Sequence, residues 1–237
     1  MKVIILAGGL GTRISEETKS KPKPMVLLGD KPILWHVMNI YASQGFSDFV
    51  IAAGYKSEMI QDWINNLETE WSISVVDTGL KTQTAGRIRM IANIFSDDQF
   101  MVTYGDGVGN INLKDLIDFH NSHGKLATVT AVRPPARFGV LQSLNGLVVK
   151  FGEKSQSDAG WINGGFFVIN KESIYEIQND FEPFESQILP RLVGKKELMA
   201  YHHFGFWKPM DTLREKNELS NMANSDVPPW LEGLKHA

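Results

Sequence analysis

The first dozen residues restrict the fold more than any other stretch. Val3-Ile4-Ile5-Leu6 is an unbroken but short apolar run, which predicts a strand buried on both faces. Gly8, Gly9 and Gly11 follow at once. Glycines after a strand leave bare backbone N–H groups in a turn, and such a turn can close around an anion. Arg13 adds a planar fork suited to phosphate oxygens. Lys19, Lys21 and Lys23 come next, and Pro22 and Pro24 bracket Lys23, which predicts an extended, stiff carrier for that lysine. Together the stretch from Leu6 to Met25 has the parts of a polyphosphate pocket. Neither G-x-x-x-x-G-K-[ST] nor G-x-G-x-x-G fits, because Gly9-Leu10-Gly11 leads into Thr12, Arg13 and Ile14. A plain strand–helix turn would explain the glycines, but not Arg13 and Lys23 arriving with them.

The rest of the first half alternates in period. A helix is expected from Pro32 to about Gln44, with Leu34, Val37, Met38 and Tyr41 on one face. Further helices are expected after Ser57 as a cap, over 86–95 and over 113–120. Strands are expected over 49–52, 73–76, 100–102 and 127–132. Alternation of this kind predicts right-handed βαβ units and an α/β fold with a Rossmann-like, mostly parallel sheet. Ligands on such sheets sit beyond the carboxyl ends of the strands, where the opening loop and Gly105-Asp106-Gly107 both fall. After Pro134-Pro135 the pattern becomes hairpin-like over 138–151. It then gives a strong strand over 166–169, helical stretches near Ser173 and Glu185, a strand over 198–204 and a helix over 212–223. Pro228-Pro229-Trp230 is expected to pack locally or at a subunit contact.

Composition sets limits on partners. A chain of 237 residues with 43% hydrophobic residues can bury one sizeable core. A net charge of −3 argues against a general nucleic-acid surface. Positive charge must therefore be local, as it is from Arg13 to Lys23 against Glu16 and Glu17. The chain has no cysteine, so disulfides, thiolate zinc sites and cysteine nucleophiles are excluded. The apolar run at Val3 is too short for a leader, and no run reaches membrane length, so a soluble cytoplasmic protein is expected.

Two carboxylates stand out as a pair. Asp106 directly follows a strand, and Asp211 directly precedes a helix. Each alone reads as a turn or a cap. As a pair they suit Mg²⁺, which prefers carboxylate oxygens, water and substrate phosphates. His202-His203 point to opposite faces of a strand, and His120 with His123 reads as a solvated helix end. Trp207 is the tryptophan expected to meet a ligand.

LAGGLGTR-x-S-E-E-T followed by KPKPM closely resembles the signature of the sugar-1-phosphate nucleotidylyltransferases, and most nearly their glucose-1-phosphate cytidylyltransferase branch. TYGDG and GFW-x-P-M-D-T-L-R resemble motifs of the same branch. The resemblance runs from Met1 to about Leu231. It implies a GT-A-like nucleotidyltransferase fold in one domain. Residues 1–133 would be the nucleotide-binding core, and 134–237 a smaller portion binding the sugar phosphate. It implies nucleotide contacts from Leu6, Ala7, Gly8, Gly9, Gly11, Thr12, Arg13, Lys23, Thr82, Arg87 and Gly105. Sugar-phosphate contacts are implied for Lys154, Asn163, Gly164 and Glu185, and Mg²⁺ ligation for Asp106 and Asp211. Arg13, Lys23, Asp106 and Asp211 would carry the catalysis. The implied reaction joins CTP and glucose 1-phosphate into CDP-glucose and pyrophosphate for surface-polysaccharide synthesis, in a homo-oligomer. The same chemistry with dTTP or UTP or another phosphorylated acceptor, and a non-catalytic sensor on this fold, are the alternatives. Ala85, Ser155, Phe184 and a short 67–71 connector depart from the branch's usual pattern. The Ala85 methyl is expected near the nucleotide.

Overall fold

The computed structural model describes residues 1–134, 139–144, 147–153 and 160–234. The chain runs β1 (Val3–Ala7), α1 (Ser15–Thr18), β2 (Leu27–Leu28), β3 (Lys31–Pro32), α2 (Ile33–Ala42), β4 (Asp48–Ala53) and α3 (Ser57–Asn65). Next come β5 (Ser72–Asp77), α4 (Thr84–Ala92), β6 (Gln99–Tyr104), β7 (Gly107–Gly109), α5 (Leu113–His123) and β8 (Ala127–Val132). It continues through β9 (Gly139–Leu144), β10 (Leu147–Glu153), β11 (Ile162–Asn170), α6 (Leu189–Gly194), β12 (Leu198–His202), β13 (Trp207–Pro209) and α7 (Leu213–Ala223).

Seven strands form the central sheet in the order β12-β8-β11-β6-β1-β4-β5. β1 pairs in parallel with β4 and β6, β5 with β4, and β12 with β8. β11 alone runs against both of its neighbours, β6 and β8. The carboxyl ends of six strands and the start of the seventh therefore share one edge. The expected mixed, mostly parallel sheet is the one observed.

All five residues of β1 are buried. Their alternation divides them between two cores. Val3, Ile5 and Ala7 join α2 in one, while Ile4 and Leu6 join α4 residues such as Ile88 in the other. Each of the Val, Ile and Leu side chains contributes roughly 1.5–3 kcal/mol when removed from water, so β1 is clamped from both faces. That clamp fixes where the glycine loop emerges.

Several local expectations need correction. Ser57 is not a cap, because Lys56 precedes α3 in a left-handed conformation with φ 52° and no side-chain cap bond forms. Lys23–Met25 is a 3₁₀ turn rather than an extended segment, although Pro22 before it is extended. The strand expected over 198–204 stops at His202, where its register with β8 ends. His120 is buried, not solvated, and its ring nitrogens meet Thr128 Oγ1 at 2.8 Å and Asn170 Oδ1 at 3.0 Å. Burial lowers its pKa, and the Asn170 contact opposes that only in part. Trp230 is fully buried edge-on to His36 at 5.3 Å, so the tail packs locally. Among the described residues no helix is long and apolar enough to cross a membrane.

Candidate active site

A cleft of about 990 Å³ opens along the shared edge of the sheet. Leu6, Ala7, Gly8, Gly9, Gly11, Thr12 and Arg13 line one wall. Gly11 has φ 64°, and a Cβ there would lie 2.9 Å from Thr18 Cγ2 and 3.0 Å from Lys23 Cβ. Only glycine lets the loop fold this closely over Lys23. A Cβ on Gly8 would lie 2.1 Å from Arg87 Cζ. Arg87 is buried beneath the loop and donates to Gly8 O at 3.3 Å, to Ala53 O at 2.8 Å and to Thr78 Oγ1. Burial pushes its pKa down and Asp77 pushes it up, but a guanidinium stays charged in either case. Arg87 thus borders the cleft while its hydrogen bonds brace the loop from below. Thr82, also on the wall, donates to Thr78 O.

Lys23 is the buried centre of the loop side. Its Nζ donates to Asp106 Oδ2 at 2.7 Å and to Asp211 Oδ1 at 2.8 Å. Arg13 donates to Asp211 Oδ2 at 3.1 Å. Burial alone would lower the Lys23 pKa, but Asp106 and then Asp211 outweigh it and the pKa is raised. The two carboxylates meet because their segments are zipped together. β7 pairs with β13 from Gly107↔Pro209 to Gly109↔Trp207, and Met210 N donates to Asp106 O at 2.8 Å. Thr212, not Asp211, caps α7, through a capping box with Glu215. The Asp211 side chain is thereby left to face Lys23 and Arg13.

This donor set fits a hard cation. Two carboxylates already converge on one ammonium, and both offer only oxygen. Among the described residues no group of three or more His, Cys, Asp or Glu could hold a metal. Remaining ligands would have to come from water or substrate phosphates.

Among the described residues the opposite wall carries one carboxylate, Glu185, and no lysine or arginine. Asn163, Gly164 and Glu185 all border the cleft. Glu185 accepts from Tyr104 Oη at 2.7 Å and Thr84 Oγ1 at 2.8 Å. Asn163 Nδ2 donates to Tyr104 Oη at 3.0 Å. Burial first, then Glu185, raises the Tyr104 pKa, so the phenol keeps its proton. Gly165 has φ 81°, and its missing Cβ would lie 2.5 Å from the Tyr104 ring. Gly105 sits at the floor, where a Cβ would come 3.1 Å from Leu6 O. Trp207 also borders the cleft, but its indole nitrogen donates inward to Gly164 O at 2.7 Å.

Lys154 and Ser155 lie outside the described residues. Ala85 is a correction: it is fully buried in the α4-side core and does not border the cleft. Tyr104 and Thr84 were not singled out from sequence. Their places beside Gly105-Asp106 and Thr82 were the available signal.

Comparison with known proteins places this geometry. Residues 2–215 match the family described as Nucleotidyl transferase. The chain is 46% identical over 253 residues to a glucose-1-phosphate cytidylyltransferase of Salmonella typhimurium, covering 97% of this chain and 98% of that protein. Among solved structures, HddC from Yersinia pseudotuberculosis complexed with GMP-PN matches with a TM-score of 0.75 and 25% identity, over 93% of this chain and 98% of that one. The inositol-1-phosphate CTP transferase from T. maritima shares the fold, with a TM-score of 0.70 and 15% identity over 99% and 97% of the two chains.

Proposed function

The chain belongs to the nucleotidyl transferase family, and from that premise we propose that it joins CTP and glucose 1-phosphate into CDP-glucose and pyrophosphate. The observation that carries the reaction class is the convergence of Asp106 and Asp211 on Lys23 Nζ, at 2.7 and 2.8 Å, beside the glycine loop. The choice of substrates follows the 46% identity to the Salmonella enzyme.

A phosphate oxygen of the sugar phosphate attacks the α-phosphorus of the triphosphate. A new P–O bond forms as the bond to the β-phosphate breaks, and pyrophosphate leaves with that electron pair. The nucleophile is already anionic at neutral pH, so no general base is required. What remains for the protein is alignment and neutralisation of charge. The loop's backbone N–H groups and Arg13 receive the triphosphate, and Arg13 follows charge onto the departing pyrophosphate. Lys23 steadies the charge that develops at the α-phosphate. Its buried position strengthens that effect, since water screens it poorly. Thr82 and the rest of the loop wall hold the nucleotide, with Arg87 as the brace beneath. Asn163, Gly164, Glu185 and Lys154 receive the sugar phosphate. Asp106 and Asp211 would hold Mg²⁺, which when bound supplies further neutralisation of the phosphate oxygens. A cytoplasmic homo-oligomer belongs to the same reading.

The test is pyrophosphate release from a panel of triphosphates crossed with sugar 1-phosphates, with Mg²⁺ present. CTP with glucose 1-phosphate should give the highest kcat/KM. Preference for dTTP or UTP would move the reading to the same chemistry with another base. No pyrophosphate from any pair would overturn the transferase reading.

A further inference from the structure

Glu185 is exposed to the cleft, yet both of its carboxylate oxygens are held. Oε1 accepts from the Tyr104 hydroxyl at 2.7 Å and Oε2 from the Thr84 hydroxyl at 2.8 Å. Each holder is itself fixed. Tyr104 Oη receives Asn163 Nδ2 at 3.0 Å, and its ring stands edge-on to Phe167 at 6.0 Å. Thr84 Oγ1 accepts from Phe184 N at 2.7 Å. Phe184 is buried, with its ring against the same Phe167 at 5.4 Å. The hydroxyl that fixes the carboxylate thus also fixes the backbone presenting it. Gly165 completes the set, because any side chain there would strike the Tyr104 ring.

We propose that Tyr104 and Thr84 are positioning residues that hold the Glu185 carboxylate as a rigid acceptor for sugar hydroxyls, and so set the choice among hexose 1-phosphates. The proposal rests on the reading that this cleft takes a sugar phosphate. An ionised carboxylate accepts hydrogen bonds and donates none, and each oxygen has a lone pair beyond the one already used. Held by two donors, it cannot turn to suit a sugar that lacks a hydroxyl at the matching place. Rigid polar partners of this kind reject the analogue that leaves them unpaired. The same arrangement joins two parts of the cleft. Thr84 begins α4 directly after Thr82 and Gln83 on the nucleotide wall, and Tyr104 lies two residues before Asp106.

The experiment is initial-rate kinetics on the full chain with CTP, Mg²⁺ and glucose 1-phosphate or its 2-, 3- and 4-deoxy analogues. Tyr104→Phe keeps the ring and should raise the KM for glucose 1-phosphate about tenfold, the loss expected for one hydrogen bond to a charged group. The KM for CTP should stay within about twofold. Thr84→Val should act in the same direction, and Thr84→Ser should restore the parent value. Discrimination against at least one deoxy analogue should shrink in Tyr104→Phe. Adding Tyr104→Phe to Glu185→Gln should cost little more than Glu185→Gln alone, since the tyrosine acts through that carboxylate. Equal rises in both KM values, full additivity with Glu185→Gln, or no rescue by Thr84→Ser would overturn the proposal. Calorimetry with glucose 1-phosphate gives the same comparison without turnover. A parent protein that binds and turns over no sugar phosphate would instead overturn the reading beneath it, and this proposal with it.

Discussion

The two walls of the cleft hold their charges by different means. On the glycine-loop side, Asp106 and Asp211 face Lys23 and Arg13 in direct ion pairs of 2.7, 2.8 and 3.1 Å. On the β11 side, Glu185 is met by two hydroxyls, each of which itself accepts from an amide N–H. Ion pairs can exchange partners: phosphates can take the lysine and arginine while a cation takes the carboxylates. A carboxylate fixed by neutral donors keeps its direction. The contrast suits one wall to a highly charged ligand that reorganises the site, and the other to a polyhydroxyl ligand read by a preset acceptor. β6 serves both, with Tyr104 on one side and Asp106 just beyond its end on the other.

The largest expected effect lies on the charged wall. Lys23→Ala should lower kcat by two to three orders of magnitude, roughly 3–4 kcal/mol, as for loss of a key electrostatic donor. Pyrophosphate release measures it, and a parent-like rate would remove Lys23 from the catalytic group. Next is metal removal. EDTA should abolish turnover and added Mg²⁺ restore it, whereas Asp106→Asn should stay slow at any Mg²⁺ concentration.

Changes on the wall of Glu185 should be smaller and confined to one substrate. Gly165→Ala forces an alanine into φ 81° against the Tyr104 ring. It should cost about 1–3 kcal/mol in thermal unfolding and raise the KM for the sugar phosphate alone. An equal effect on both substrates would blur the distinction between the walls.

The smallest effect concerns acid. Glu182 lies three positions before Glu185 in the chain, and its carboxyl is lowered from 4.5 to about 2. The Arg191 hydrogen bond is the main cause, opposed by desolvation and helped by the backbone N–H groups of Gln178 and Asn179. A depressed carboxyl stabilises the fold above its unfolded pKa and loses that contribution as pH falls through its folded value. The window runs from about pH 4.5 down to about pH 2. Glu182→Gln should therefore lower stability by a constant amount above that window, with the parent and variant curves converging as pH falls through it. A parallel shift of the whole curve would contradict the assignment.

Much of the charged wall was legible from sequence because its parts are local. Glycines after an apolar run, then Arg13 and Lys23, lie within one stretch of chain. Asp106 and Asp211 were legible because each stands at the end of a regular element. The capping role of Thr212, which leaves Asp211 for the site, needed the geometry of Glu215. Less of the Glu185 wall could be read. The run Phe166 to Ile169 is apolar on both faces, so nothing in it encodes the direction of β11. That direction decides whether Asn163 and Gly164 reach the cleft. Arg87 reads as a ligand contact and does border the cleft, but sequence does not reveal that the space left by Gly8 and Gly54 also lets its guanidinium brace the loop from beneath. His120 reads as exposed, yet Thr128 and Asn170 satisfy both ring nitrogens inside. In each case the deciding partner is distant in sequence.

The central claim is that Asp106 and Asp211, 105 positions apart in the chain, share one divalent cation together with the triphosphate. Electron paramagnetic resonance of Mn²⁺ bound to the protein with a non-hydrolysable CTP analogue tests it directly. One tightly bound Mn²⁺ per chain is predicted for the parent, weakened at least tenfold by either Asp106→Asn or Asp211→Asn. Undiminished Mn²⁺ binding in either variant would contradict the shared site.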